Sequence, residues 1–167
     1  MNAETLKKLY EIAHRAAHLN LEGIGHEESL VAPEAGNTLN WVVGHMVATR
    51  DAVLAALDEE PIWDEERSLL YSGTAEGGWS PERALPLDSL VTDLDRSQER
   101  IMSAFDHLSD EALEEPSGNG TLCWRLGFLH FHESYHVGQI GLLRRLLGKP
   151  GVIKPPKPAQ VRESGGS

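Results

Sequence analysis

His132 and His136 stand four residues apart in the segment FLHFHESYHVGQIGLLRRLLG. On a helix that spacing stacks two imidazoles on one face, where one divalent metal ion can take both. A buried polar group without a partner costs about 1–3 kcal/mol, and a metal satisfies the two rings together. The same projection sets the pair among Phe128, Leu129, Gln139, Leu143 and Leu146, which predicts that both rings point into a helical core. Core histidines hydrogen-bonded to backbone or carboxylates are the alternative.

The pentapeptide from His132 to His136, HESYH, also spells H-E-x-x-H. In zinc proteases the glutamate of that motif is the general base. The surroundings here do not fit a protease. The chain continues VGQIGLL without a further histidine, its only later glutamate is Glu163, and no strand pattern precedes the motif. Glu133 projects roughly 60–100° from the two histidines. It is expected either to reach a metal-bound water as a base or to form an interhelical ion pair.

A third ligand must come from another segment, and His45 is the candidate. It borders a buried stripe beside the small residues Gly44 and Ala48, which would let a neighbouring helix or a metal approach. Taken alone, His45 reads equally well as a hydrogen-bonded core histidine; with the pair it completes three imidazoles. Three protein ligands leave a position open for water or substrate, as in catalytic zinc sites. Imidazole also suits nickel, copper and iron.

The remaining histidines fall elsewhere. His14 and His18 repeat the spacing of four but project nearly opposite the apolar face of their helix, and are expected in solvent or at a subunit contact. His130 lies about 200° around from His132, and His26 and His107 read as surface residues near helix ends.

The elements that must position these residues are helices. Apolar periodicity of 3.6 predicts four of them, at about residues 3–21, 39–57, 88–108 and 121–147. Asn37 or Thr38 is expected to cap the second and Asp88 the third, while Gly23, Gly25 and Gly148 act as stops. Between the second and third helices runs a long crossover, residues 58–86, rich in Pro, Gly and acids. It holds a short helical candidate at 63–70, turn signals at Gly73, Gly77-Gly78 and Ser80-Pro81, and three aromatics, Trp63, Tyr71 and Trp79, expected either to wall the site or to pin the loop to the core. Connections this long are often functional. The fold class expected is all-α, a four-helix bundle spanning residues 1–150, followed by a Pro/Gly-rich tail over 151–167.

Composition narrows the function. The chain has 167 residues, 40% of them hydrophobic, and a formal net charge of −11, which suits one soluble domain. An acidic surface repels phosphate backbones and anionic membranes, so nucleic acid and membrane are not expected partners. No run of roughly 20 apolar residues offers a membrane span, and the amphipathic N-terminus with early acids does not read as a signal peptide. The single cysteine, Cys123, cannot make an internal disulfide and reads as a small hydrophobe in a reducing cytoplasm.

The segments TLNWVVGHMVATRDAVL and FHESYHVGQIGLLRRLLG together resemble the DinB/YfiT-like superfamily, in particular its DinB-like branch. The resemblance covers residues 1–150, least securely in the crossover. It implies a four-helix bundle in which His45 on helix two and the HxxxH pair His132 and His136 on helix four hold a divalent metal, zinc or nickel foremost, with Gly138 and Gln139 as the following GQ. It also implies a small-molecule substrate, chemistry on a low-molecular-weight thiol or on water, and a homodimer, for which the His14/His18 face is available. The expected function is thus a metal-dependent enzyme that activates a thiol or water nucleophile, a thiol S-transferase or a hydrolase. A metal- or ligand-binding module without turnover is the alternative from another class.

Overall fold

The computed structural model describes residues 1–34, 36–73 and 79–153. Among the described residues six α-helices appear in the order α1 (Ala3–Leu21), α2 (His26–Ser29), α3 (Leu39–Ala56), α4 (Glu65–Tyr71), α5 (Leu87–Asp106) and α6 (Leu122–Leu146). A two-residue hairpin pairs Pro116–Ser117 with Gly120–Thr121 just before α6. The four long helices are the four predicted from periodicity. The turn signal at Gly77-Gly78 and the tail from residue 154 lie outside the described residues.

Local chemistry explains the boundaries. Asn2, Thr38 and Thr121 cap α1, α3 and α6 by accepting from the N–H groups of Thr5, Trp41 and Trp124. Gly148 takes φ +77° immediately beyond α6, a left-handed conformation that side chains with a β-carbon rarely adopt. At α5 the cap differs from the expectation. Pro86 occupies the N-cap and Asp88 falls inside the first turn, because the first N–H, that of Leu87, is satisfied from another element by His26 Nδ1 at 3.3 Å.

In the bundle α6 packs against α1 and α3, and α5 closes the opposite side against the same two helices. The core has two zones. One gathers Leu6, Tyr10, Leu54, Ile101 and Leu126; the other gathers Ala17, Val43, Met46, Leu90 and Ile140, and the histidines adjoin it. The crossover is fastened to this second zone. Trp63 and Tyr71 are buried, and Trp63 donates its indole N–H to Asp93 Oδ2 on α5 at 2.8 Å.

Two orientations depart from the projection. Phe128 and Leu146, expected inside, stand on the exposed face of α6. That helix is apolar nearly all round, so periodicity alone does not fix which stripe faces in. His14 and His18, expected in solvent or at a subunit contact, are partly covered where α1 meets α5. A helix packed on two neighbours has two covered faces, and the second one is polar here.

Candidate metal centre

His45 on α3 and His132 and His136 on α6 converge through their Nε2 atoms. His132 Nε2 lies 3.2 Å from His136 Nε2 and 3.5 Å from His45 Nε2. Zinc–imidazole bonds of about 2.0–2.1 Å at a tetrahedral angle would hold the nitrogens about 3.3–3.4 Å apart, so the spacing suits a single small divalent ion. Each residue offers one ligand atom, and among the described residues the group stops at three.

The outer nitrogens are aimed by acceptors. His45 Nδ1 lies 2.7 Å from the Tyr71 carbonyl oxygen, and His136 Nδ1 lies 2.7 Å from Gln139 Oε1. An acceptor opposite Nδ1 keeps the proton there and leaves the Nε2 lone pair free, as in the outer shells of metal-bound histidines. Without a metal, two such lone pairs converge on His132. Its own Nδ1 is buried without a hydrogen-bond partner, so a neutral His132 can place its proton on Nε2 and donate to His136. A cation at Nε2 would shift that proton to Nδ1. The donor set therefore fits a divalent metal.

Burial favours the neutral form of the two α6 rings. It is the first cause that lowers the His136 pKa to about 4, with His45 and His132 acting in the same direction against the Gln139 hydrogen bond. His132 is lowered too, by burial and then by His45. A neutral ring is the form that binds a metal.

Close packing positions His45. Trp41, one turn earlier on α3, stacks on its ring at 4.7 Å and 9°. Tyr71, whose carbonyl fixes Nδ1, is held through its hydroxyl, which donates to Asn40 Oδ1 at 3.0 Å and accepts from the Leu85 N–H at 2.9 Å. A cleft of about 250 Å³ opens beside His45, lined by Ala48, Thr49, Glu65, Ser68 and Leu69. Trp41, Tyr71 and Asn40 were not singled out for this role from the sequence. Only the spacing of Trp41 from His45 was a usable signal, since Tyr71 reaches the site from the crossover.

Glu133 takes the second of its two expected roles. Its Oε1 and Oε2 accept from Arg50 Nη2 and Nε at 2.6 and 3.1 Å, and the two side chains are 1% and 4% exposed. Both oxygens are thus engaged between α3 and α6. Arg50 Nη1 continues to the Leu94 carbonyl and Ser97 Oγ on α5. Arg50 thus ties three helices together, a role the sequence did not reveal.

The same arginine governs the second histidine pair. His14 Nδ1 lies 3.4 Å from Arg50 Nη1, while Asp95 Oδ1 lies 3.3 Å from His14 Nε2 and 2.6 Å from His18 Nε2. These three residues also form a group that could hold a metal. The guanidinium can only donate, so His14 Nδ1 must accept and Nε2 must carry the proton toward Asp95. That tautomer removes a ligand lone pair, and the fixed positive charge of Arg50 opposes a cation. His130 is engaged apart from the ligand set, with Nε2 3.1 Å from the Leu9 carbonyl.

Comparison with known proteins bears on the fold and the family. A crystal structure titled as the conserved protein of locus from Enterococcus faecalis superimposes with a TM-score of 0.68 at 21% identity, covering 87% of this chain and 97% of that one. At that identity the likeness speaks for the fold alone. None of the curated proteins compared with the chain matches it. No helix among the described residues is long and apolar enough to cross a membrane. The sequence pattern of the DinB superfamily matches residues 9–140, a span holding all three converging histidines, and the chain belongs to that superfamily.

Proposed function

We propose that the protein is a metal-dependent enzyme in which His45, His132 and His136 hold one divalent ion, zinc or nickel, and a small-molecule thiol or water is the nucleophile. The observation that carries this reading is the convergence of three Nε2 atoms at 3.2 and 3.5 Å with two of the outer nitrogens held by acceptors. A divalent metal bound there supplies Lewis acidity, which makes a thiol or water nucleophilic at neutral pH. The chain's own residues set the geometry. Tyr71 and Gln139 orient the ligand rings, and Trp41 shields one face of His45. The cleft beside His45 gives a substrate its approach, with the hydroxyls of Thr49 and Ser68 on its wall. Glu133, the neighbour of His132 on α6, fastens that helix to α3 through Arg50.

Among the described residues the group of three would leave a position open, which favours turnover over a sealed structural ion. Thiol transfer and hydrolysis both use such a position. Metal analysis of protein purified without added metal should give one ion per chain, and His136→Ala should abolish it. Retention of stoichiometric metal by that variant would sink the assignment. The metal-loaded protein is then screened with glutathione, bacillithiol and mycothiol against electrophiles, and with ester and amide substrates. Turnover with a thiol alone identifies the transferase.

A further inference from the structure

The cleft beside His45 has walls of one chemical sense. His45, Ala48 and Thr49 line it from α3, and Glu65, Ser68 and Leu69 line it from α4. Each set follows spacings of three and four residues, so each occupies one face of its helix. The two faces confront each other across about 250 Å³.

A hydroxyl ordinarily offers one proton and two lone pairs. Here the protons are already committed. Thr49 Oγ1 donates to the His45 carbonyl at 2.8 Å, and Ser68 Oγ donates to Asp51 Oδ2 at 3.3 Å. Asp51 is itself held in place, because its two oxygens also accept from the N–H groups of Ile62 and Trp63. On α4 the N–H groups of Arg67 and Ser68 are taken by Asp64. Glu65, the remaining polar group, is a carboxylate and only accepts. It enters none of the ion pairs among the described residues, and it does not join the three histidines as a ligand.

A molecule entering this cleft therefore meets lone pairs and one negative charge. An alcohol brings a single proton and lone pairs of its own. A carboxylate or phosphate brings only lone pairs and a like charge. An ammonium group brings three N–H donors and no lone pair, which matches the three acceptors Glu65, Thr49 and Ser68, and its bond to Glu65 is charge-assisted. Ala48 and Leu69 supply apolar surface for the methylenes that carry such a group. The net charge of −11 draws cations to the surface in general, but only the cleft adds the directed acceptors.

We propose that the small molecule that reacts at the histidines carries a primary alkylamine, and that Glu65, Thr49 and Ser68 hold its ammonium group in the cleft. The proposal rests on the metal-dependent reading for the reacting end of that molecule, whereas the ammonium subsite is built from α3 and α4 side chains without a metal.

The test uses three four-carbon probes that differ only in their head group, n-butylammonium, 1-butanol and butyrate. Each is titrated into the isotope-labelled full chain, metal-free and zinc-loaded, and the amide NMR signals are followed. Butylammonium should shift the signals of Thr49, Ser68 and Leu69 and bind about tenfold more tightly than 1-butanol, while butyrate leaves them unmoved. Glu65 is exposed, so Glu65→Gln should fold normally by circular dichroism and lose the tenfold preference. Thr49→Val, which removes an acceptor at similar volume, should weaken butylammonium alone. Equal affinity for amine and alcohol, or shifts scattered over the acidic surface, would overturn the proposal while leaving metal binding intact. An undiminished preference in Glu65→Gln would overturn the role of that carboxylate. A chain that takes up no zinc yet binds butylammonium in the cleft would keep the subsite and reject the metal-dependent reading instead.

Discussion

A β-carbon at position 44 would lie 2.2 Å from Cδ1 of Tyr71, so the Tyr71 ring occupies the space that Gly44 leaves on α3. The contact links the crossover to the metal centre, because the carbonyl of the same tyrosine accepts from His45 Nδ1, one residue along from Gly44. Gly44→Ala must push the ring out of a fully buried position. Overpacking of this kind costs about 1–3 kcal/mol, and losing the carbonyl that orients His45 should weaken metal binding about tenfold. Denaturant unfolding and metal titration of the variant measure both. Wild-type affinity in a destabilised variant would show that Tyr71 braces the fold without orienting the ligand.

Gln139 is the corresponding brace on α6. Its Oε1 accepts from His136 Nδ1, and removal of such a partner typically costs 10–100-fold in metal affinity. Gln139→Ala should show a loss in that range with little change in unfolding, since the side chain is only partly buried. Gln139→Glu keeps an acceptor and should retain affinity. Equal losses in the two variants would mean that acceptance at Nδ1 is not what the glutamine supplies.

These two braces show where sequence reasoning stops. The four long helices were legible because their apolar stripes repeat at 3.6 residues, and the HxxxH pair because both ligands sit on one helix. Gln139 could be placed near His136, three residues away on the same face. Tyr71 could not be assigned to His45, because a crossover's path is set by packing such as the Gly44 contact and not by a local pattern. The facing of Phe128 and Leu146 on α6 escapes the sequence for a different reason. With Trp124, Phe128 and Phe131 outside and Leu126, Val137 and Ile140 inside, both faces are apolar and the inward one is decided only by the neighbouring helices.

The Arg50–Glu133 pair separates structural from chemical roles. Removing one member of a buried ion pair leaves the other uncompensated and costs about 3–5 kcal/mol. Glu133→Gln should therefore lower stability by roughly 3 kcal/mol, while the protein still binds one metal per chain. Thermal unfolding with parallel metal analysis distinguishes the outcomes. A variant of unchanged stability that has lost turnover would assign Glu133 the general-base role.

His14 contributes to the pH dependence of folding, in the same direction as His132 and His136 in the metal-free protein. Its pKa is lowered to about 4, first by burial, then by Arg50 and His18, with Asp95 opposing. The unfolded chain holds His14 near its ordinary value of about 6.5, so between these limits the unfolded state binds the extra proton. Stability contributed by neutral His14 is complete above about pH 6.5 and is lost as pH falls toward 4. The loss is specific to the tautomer described above, since protonated Nδ1 can no longer accept from Arg50. Asp51, whose pKa is raised mainly by burial, acts in the opposite direction, so the histidine must be isolated by comparison. Denaturant unfolding of the metal-free protein at about pH 7 and about pH 5 should show a decline that is smaller in His14→Asn. A decline of equal size in both proteins would place the acid sensitivity elsewhere, and an NMR titration with His14 at an ordinary value would remove its cause.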